Sequence, residues 1–436
     1  MSTHCSAAIT GIVLLALVGG VPARSTAAGV STFRLLGSYG IETFGYEDAS
    51  NADRLWFEQI GRLSLYRMGT RWSLHGTVSH LSCFDDDFCG SGRGRFLKGF
   101  LRYGGLDSRV DVRAGRFFLY RGVAVGVFDG ADLVLRSGRG LRLGLFAGLA
   151  GPRSREFEFE EPDEAFSFGA ELRQVLHRRL ASAVHDFGLS YVRQQRGEGV
   201  TRHLVGVTTQ SRWGRSFTLL NVVHLRPQGD PFRKAVSRAR YRSADWGMLA
   251  EAGVLKPIRN EYSWFGDFEM PAVQRYRLGL DRYFGAGRWA AGFEGALLAA
   301  ESETGFRGGP VITSPWGRAG YRFSGGGQSQ VSGPWISLRA TPGRGLTLHV
   351  YGSVMSYEWD ALDLDSGDIV TARAGASYTP PQVPALTIHG EFQVYRTPQF
   401  EQDRRALAGL TWRFDTAGGA RAGGARSGGT SPGGAR

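Results

Sequence analysis

Residues 141–149 read LRLGLFAGL and residues 406–414 read ALAGLTWRF. Successive side chains on an extended strand point to opposite faces. Leu141, Leu143, Leu145, Ala147 and Leu149 therefore share one surface, while Arg142, Gly144 and Gly148 share the other. Segments of this kind recur along most of the 436 residues, and each is apolar on one side only. A soluble β-protein needs longer continuous apolar runs to build a core. One-sided strands separated by turn residues suit a transmembrane barrel, which shows an apolar band to lipid and a polar lumen to water. The expected fold class is an all-β, antiparallel transmembrane barrel. The 64 glycines and 12% aromatic content agree, since such a barrel has many tight turns and aromatic girdles.

Residues 1–28 read as a signal peptide, 29–414 as the barrel and 415–436 as a disordered Gly/Ala/Arg-rich periplasmic tail. The apolar run at 12–21 has the length of a signal-peptide core and is too short to span a bilayer as a helix. Cleavage after Ala23, Ala27 or Ala28 is acceptable, although residues 1–11 carry no Lys or Arg. Cys5 precedes the apolar run and so is not a lipoprotein cysteine. No later stretch reaches ~18 uninterrupted apolar residues, which excludes a helical membrane protein. The leader runs almost directly into the strand pattern, which leaves no room for the plug of a TonB-dependent receptor.

Short Gly/Pro/Ser/Asp turns stand at 68–71, 104–108, 137–140, 176–182, 212–215, 243–247, 285–288, 342–345 and 380–385. As periplasmic turns between hairpins they imply about 20 strands, within an even range of 18 to 22. Longer external loops are expected between them, including 82–94, 117–131 and 301–330. The last contains an extra hairpin candidate at 316–323, which would narrow a pore if it folded inward. In the final strand Ala406, Ala408, Leu410, Trp412 and Phe414 alternate outward and end on an aromatic. This resembles the C-terminal assembly signal of bacterial outer-membrane proteins, with Leu410, Trp412 and Phe414 as its residues and the barrel assembly machinery as the implied partner.

The formal charge is +12, and only Lys98, Lys234 and Lys256 are lysines among 52 basic residues. A charge in the lipid midplane is costly, so arginines that alternate with apolar residues should face the lumen. This assigns Arg238, Arg240 and Arg242 to the lumen, with Arg275, Arg277 and Asp281, and with Lys98 and Arg102. Arg113, Arg142, Arg339 and Arg373 follow by the same parity. The acidic lumen partners are fewer: Asp111, Glu251, Asp281, Glu294 and Glu391. Two readings stand together here, an internal salt-bridge lattice that holds the barrel round and a net-positive lumen that selects anions. The arginines are spread over strand positions with no nucleic-acid motif, so nucleic acid is excluded as a partner.

Cys83 and Cys89 bracket an external acidic tip in an exported chain, where oxidation is permitted, so a loop-closing disulfide is expected. The carboxylates Asp85, Asp86 and Asp87 lack the spacing of a calcium loop and read as a solvated tip. Neither metal-ligand spacing nor a cofactor motif is present, so none is expected. His80 and Ser82 share one strand face at a spacing that looks like the His and Ser of outer-membrane phospholipases. No motif supplies the third, orienting residue, and the strand number is too large for that family, so the expected answer is no enzyme.

The run Arg113-Ala-Gly115-Arg116 resembles a strand motif, R-x-G-R-Q followed after a loop by D-G, seen in porin-like outer-membrane channels including the alginate export family. Here the loop would span 117–128 and Asp129-Gly130 would open the next strand, with Phe117 where the motif has Gln. The resemblance implies that Arg113 and Arg116 line the lumen and that Asp129 sits near a constriction. Strict alternation instead places Arg116 with Val110 and Val112. Either a bulge at Gly115 turns it inward or it lies at the membrane interface.

The expected function is a passive channel in the bacterial outer membrane that favours anionic solutes, with outward passage of an acidic exopolysaccharide as one such traffic. The alternative is a surface barrel for adhesion or receptor binding with an occluded lumen; a lipid-active enzyme ranks last. Lipid and lipopolysaccharide are the surrounding partners. Oligomeric state is not specified by any feature of the chain.

Overall fold

The computed structural model describes residues 33–47, 53–83, 93–105, 107–151, 165–178, 182–196, 200–227, 232–256, 272–300, 303–326, 329–359, 364–397 and 400–416. Residues 1–28, expected as a signal peptide, lie outside these residues, as does the part of the expected tail beyond Thr416. Every element is a strand of one sheet. In chain order they are β1 (Phe33–Glu47), β2 (Asp53–Arg67), β3 (Trp72–Cys83), β4 (Arg93–Tyr103), β5 (Val110–Arg121), β6 (Ala124–Arg136), β7 (Leu141–Ala150) and β8 (Phe166–Arg178). They continue as β9 (Ala183–Arg196), β10 (Val200–Trp213), β11 (Phe217–Leu225), β12 (Phe232–Arg242), β13 (Trp246–Leu255), β14 (Val273–Phe284) and β15 (Trp289–Ala299). The last are β16 (Thr304–Ser314), β17 (Gly317–Gly326), β18 (Ser329–Gly343), β19 (Leu346–Trp359), β20 (Leu364–Tyr378), β21 (Leu386–Thr397) and β22 (Phe400–Asp415).

Each strand pairs antiparallel with its sequence neighbours, and β1 also pairs with β22, so the sheet is closed. Closure removes both edges, which is what lets a sheet sit in lipid without unpaired backbone groups. The seam is fastened by side chains of both faces. On one face Arg34 meets Asp415 at 2.6 Å; on the other, the Phe414 ring lies over Gly37, where a Cβ would meet its Cζ at 2.3 Å. Asp415 is thus part of the wall and not of the tail.

The barrel has 22 strands, the upper end of the expected range. The two beyond twenty are β16 and β17, which turn at 315–316 inside the segment expected as the longest external loop. That hairpin forms wall and does not fold inward. A second correction concerns 117–131. It is no loop: β5 and β6 remain hydrogen-bonded to a tight turn at 122–123, with Phe117 opposite Phe128 and Arg121 opposite Ala124.

The alternation sorts side chains as the bilayer requires. On β13 and β14, Trp246, Met248, Tyr276, Leu278 and Leu280 point outward and are 38 to 62% exposed, while Glu251, Arg275 and Arg277 point inward on the intervening positions. With strands ~4.8 Å apart and tilted by about 40°, a closed sheet of this size has a diameter on the order of 40 Å. Side chains of the wall alone cannot fill such a lumen.

Candidate functional site

The lumen is narrowed by the outer half of β5 and β6. Three glycines stand side by side across the sheet, Gly115 opposite Gly130 and Gly130 opposite Gly148. Gly115 has φ +123°, a backbone state that L-residues rarely adopt. A Cβ on Gly115 would fall 2.3 Å from the Gly99 carbonyl oxygen, and one on Gly130 2.2 Å from that of Ala147. The strands approach too closely here for side chains, and the hairpin bends.

Beyond this row the hairpin folds back over the inner wall. Arg113 and Arg121 would stand about 26 Å apart on an extended strand. Both nevertheless bond the same carboxylate: Arg113 donates to Asp132 at 2.6 and 3.0 Å, and Arg121 at 2.9 and 3.1 Å. The tip reaches β9 and β10, where the Val123 amide donates to Ser190 Oγ at 3.2 Å. At Gly206 a Cβ would meet Val123 Cγ1 at 2.4 Å. Phe117, Leu119, Ala124 and Phe128 pack against Phe100, Phe146, Val192 and Leu204 of the wall, forming a buried apolar cluster inside the barrel. The hairpin's other face turns to the barrel axis. It carries Phe118, Tyr120 and Val125, which are 56, 75 and 51% exposed.

The bend is held by charge. Arg116 and Asp129 face each other across the hairpin and form a two-pronged pair at 2.6 and 2.8 Å, with a third bond from Arg116 to the Phe96 carbonyl at 3.1 Å. Their side chains are 1 and 5% exposed. Pairing of β5 with β4 and with β6 runs through Gly115 without a shift, so no bulge turns Arg116. The expectation that Arg116 lines the lumen is corrected, because its side chain is enclosed at the bend; Asp129, expected near a constriction, is enclosed with it where the hairpin enters the lumen. Below it, Arg102 and Arg136 share Asp111 at 2.8 and 3.3 Å, Lys98 lies 5.3 Å from the Phe100 ring, and Arg142 and Arg121 both approach Glu171 at 3.6 Å.

The wall away from the hairpin is a chain of basic and acidic groups. Glu251 takes Arg238 at 2.5 Å and Arg275 at 3.4 Å. Glu294 takes Arg318 at 3.1 Å and Arg277 at 3.6 Å. Glu391 takes His349 at 2.6 Å and Arg373 at 3.7 Å. Asp281 lies opposite Gly292, where a Cβ would be 2.2 Å from its Oδ1. Arg242 stacks on Tyr283 at 5.3 Å, Arg318 on Trp335 at 5.9 Å, Arg373 on Tyr351 at 5.7 Å and Arg405 on Tyr395 at 4.9 Å. Arg240, Arg307, Arg322 and Arg339 have no carboxylate within salt-bridge reach among the described residues. Parity alone points to Arg307, Arg318 and Arg322, which went unassigned from the sequence. The same parity turns Asp132 inward between Ala131 and Leu133, and Glu171 between Ala170 and Leu172; that Arg121 reaches both carries no sequence signal, because it does so only when the hairpin folds.

Leu410 and Trp412 lie on the outer face at 36 and 37% exposure, beside Phe414 at the seam. Cys83 ends β3 and is disulfide-bonded; Cys89 lies outside the described residues. His80 and Ser82 share the outward face of Trp72 and Leu74, and the Ser82 hydroxyl donates to the Phe57 carbonyl at 3.4 Å instead of to an imidazole. No group of three His, Cys, Asp or Glu among the described residues is arranged to hold a metal ion.

No protein-family model matches the chain, and no curated protein matches it in sequence. Among solved structures it is similar to the translocation pore of the P pilus usher PapC, with a TM-score of 0.50 and 10% identity over 87% of this chain and 99% of that one. It is also similar to the siderophore receptor PirA from Pseudomonas aeruginosa, with a TM-score of 0.54 and 12% identity over 89% of this chain and 81% of that one. The outer membrane protein OpdK from the same organism superposes more loosely, at a TM-score of 0.41 and 11% identity over 88% of this chain and 98% of that one. The likeness is one of fold, that of closed barrels spanning the bacterial outer membrane. Nothing in it selects the alginate export family.

Proposed function

We propose that this barrel is a passive outer-membrane channel whose lumen favours anions. One observation carries the reading: the inner wall holds more guanidinium groups than carboxylates, and Arg240, Arg307, Arg322 and Arg339 are left without an acidic partner among the described residues. Such groups lining a water-filled tube with low-dielectric walls raise the local concentration of anions and lower that of cations. Guanidinium also binds carboxylate and phosphate bidentately, which suits these solute classes. A barrel of this circumference supports the passage of large solutes, an acidic exopolysaccharide among them.

The test is the reversal potential of single channels in a KCl gradient. The wild type should show anion preference. Replacing Arg240, Arg322 and Arg339 with Glu should lower or invert it while the barrel still folds, since water solvates the new carboxylates. An unchanged potential in the folded variant would overturn the assignment. A folded barrel that passes no ions would favour the surface-binding alternative.

A further inference from the structure

Charge is divided between the two rims of the barrel. The short turns and both ends of the sheet lie at one rim, which faces the periplasm. Its described turns hold Arg71, Arg109, Arg139, Arg215, Arg288 and Arg344 against Asp107 and Asp245. None of these arginines has a carboxylate within salt-bridge reach among the described residues. The joins at the opposite rim run the other way: that between β3 and β4 includes Asp85, Asp86 and Asp87, and that between β7 and β8 includes Glu158, Glu160 and Glu161.

Two further arginines show what the basic rim meets. Arg67 and Arg282 occupy outward-facing strand positions just inside the turns, sharing the lipid face of Leu63 and of Leu278 and Leu280. Both are level with exposed rings of the aromatic girdle. Arg67 lies opposite Phe33 and is followed across the 68–71 turn by Trp72, whose ring meets Tyr103 at 4.9 Å. Arg282 lies opposite Trp246 and sits over its ring at 4.8 Å. On the next hairpin Arg288 precedes Trp289, which meets Trp316 at 5.7 Å. Neither Arg67 nor Arg282 has a carboxylate partner among the described residues. Tryptophan and tyrosine rings settle at the level of lipid headgroups. A cation set among them is held against the headgroup phosphates, and a soluble polymer cannot reach it without entering the interface.

We propose that Arg67 with Arg71, and Arg282 with Arg288, bind the headgroups of anionic phospholipids in the periplasmic leaflet. The guanidinium fork takes phosphate oxygens bidentately, and the neighbouring rings pack on the glycerol and the upper acyl chain. An anionic headgroup gains over a zwitterionic one because it brings no cation of its own beside the arginine. The sites lie outside the wall, so they stand or fall independently of what crosses the lumen.

The test reconstitutes the folded protein in phosphatidylcholine bilayers and adds phosphatidylglycerol or phosphatidylcholine carrying bromine on acyl carbons near the headgroup. Quenching of tryptophan fluorescence reports contact, through Trp72, Trp246 and Trp289. Brominated phosphatidylglycerol should reach half-maximal quenching of the wild type at a mole fraction about fivefold lower than brominated phosphatidylcholine, the gain one basic side chain makes at an anionic lipid surface. The preference should vanish in ~1 M KCl, where charge acts over only ~3 Å. Replacing Arg67, Arg71, Arg282 and Arg288 together with Gln should abolish it while the unheated, folded band on gels is unchanged; the same four replaced with Lys should keep it. Equal quenching by the two lipids in the wild type, or an unaltered preference in the folded Gln variant, overturns the proposal. So does loss in the Lys variant, which would trace the effect to ring packing. A Gln variant that fails to fold leaves the salt dependence of the wild type to decide, and a preference that survives ~1 M KCl overturns the proposal. Wild type that shows no lipid preference but binds polygalacturonate through these arginines would assign the rim to a soluble periplasmic polyanion instead.

Discussion

At the scale of single residues, the decisive question for each charge is what it faces. Asp132 is 1% exposed and accepts from two guanidiniums, one from the wall and one from the hairpin. Asp132→Ala leaves Arg121 buried without its main counter-charge, a type of change that costs about 3–5 kcal/mol. The hairpin should then detach, so single-channel conductance should rise and the unheated, folded band should convert to the unfolded one at a lower temperature. Arg238 and Arg240 make a matched pair for a second experiment. They lie two residues apart on one face of β12, but Arg238 is bonded to a buried Glu251 and Arg240 has no acidic partner among the described residues. Arg238→Glu should set two carboxylates against each other and reduce the yield of folded barrel. Arg240→Glu should fold normally and shift only the reversal potential. Similar losses of yield in both would mean that the pairing does not distinguish them.

At the scale of elements, the β5–β6 hairpin is two things in one stretch of chain. Below Gly115 it is membrane wall; above it, a flap inside the lumen. Deleting residues 117–128 and joining Arg116 to Asp129 through a short Gly-rich turn should leave the 22-strand wall in place, because the deleted stretch supports the wall only at the end of β7, where Phe128 lies opposite Ala150 and the Gly151 amide donates to the Val127 carbonyl. The deletion should give a well-folded barrel with several-fold higher conductance and weaker discrimination by solute size, measured by exclusion of graded polyethylene glycols. Unchanged conductance would show that the flap lies off the conduction path. At the far end of β3, the disulfide of Cys83 predicts that alkylation of the denatured, unreduced protein leaves this residue unlabelled. Labelling after reduction completes that measurement.

At the scale of the whole molecule, the outward band and the charged lumen need two different solvents at once. The protein should fold in detergent or lipid and not in buffer, migrate faster on gels before heating than after, and give a far-UV spectrum dominated by strand. Appreciable helix would contradict the barrel. The chain itself determined the strands, because the alternation that makes Leu278 and Leu280 face lipid and Arg277 and Asp281 face water is local and repeats every second residue. Turns were legible for the same reason, down to the hairpin candidate at 316–323, although whether it entered the wall or the lumen was not. Tertiary structure decided the site. A two-residue period survives a fold-back unchanged, so Phe118 and Tyr120 read in sequence like Val110 and Val112 although one pair meets the lumen and the other lipid. Likewise the ion pairing of Arg238, Arg240 and Arg121 depends on which strand or flap lies opposite, and that is set by register and closure across the sheet, which no single strand encodes.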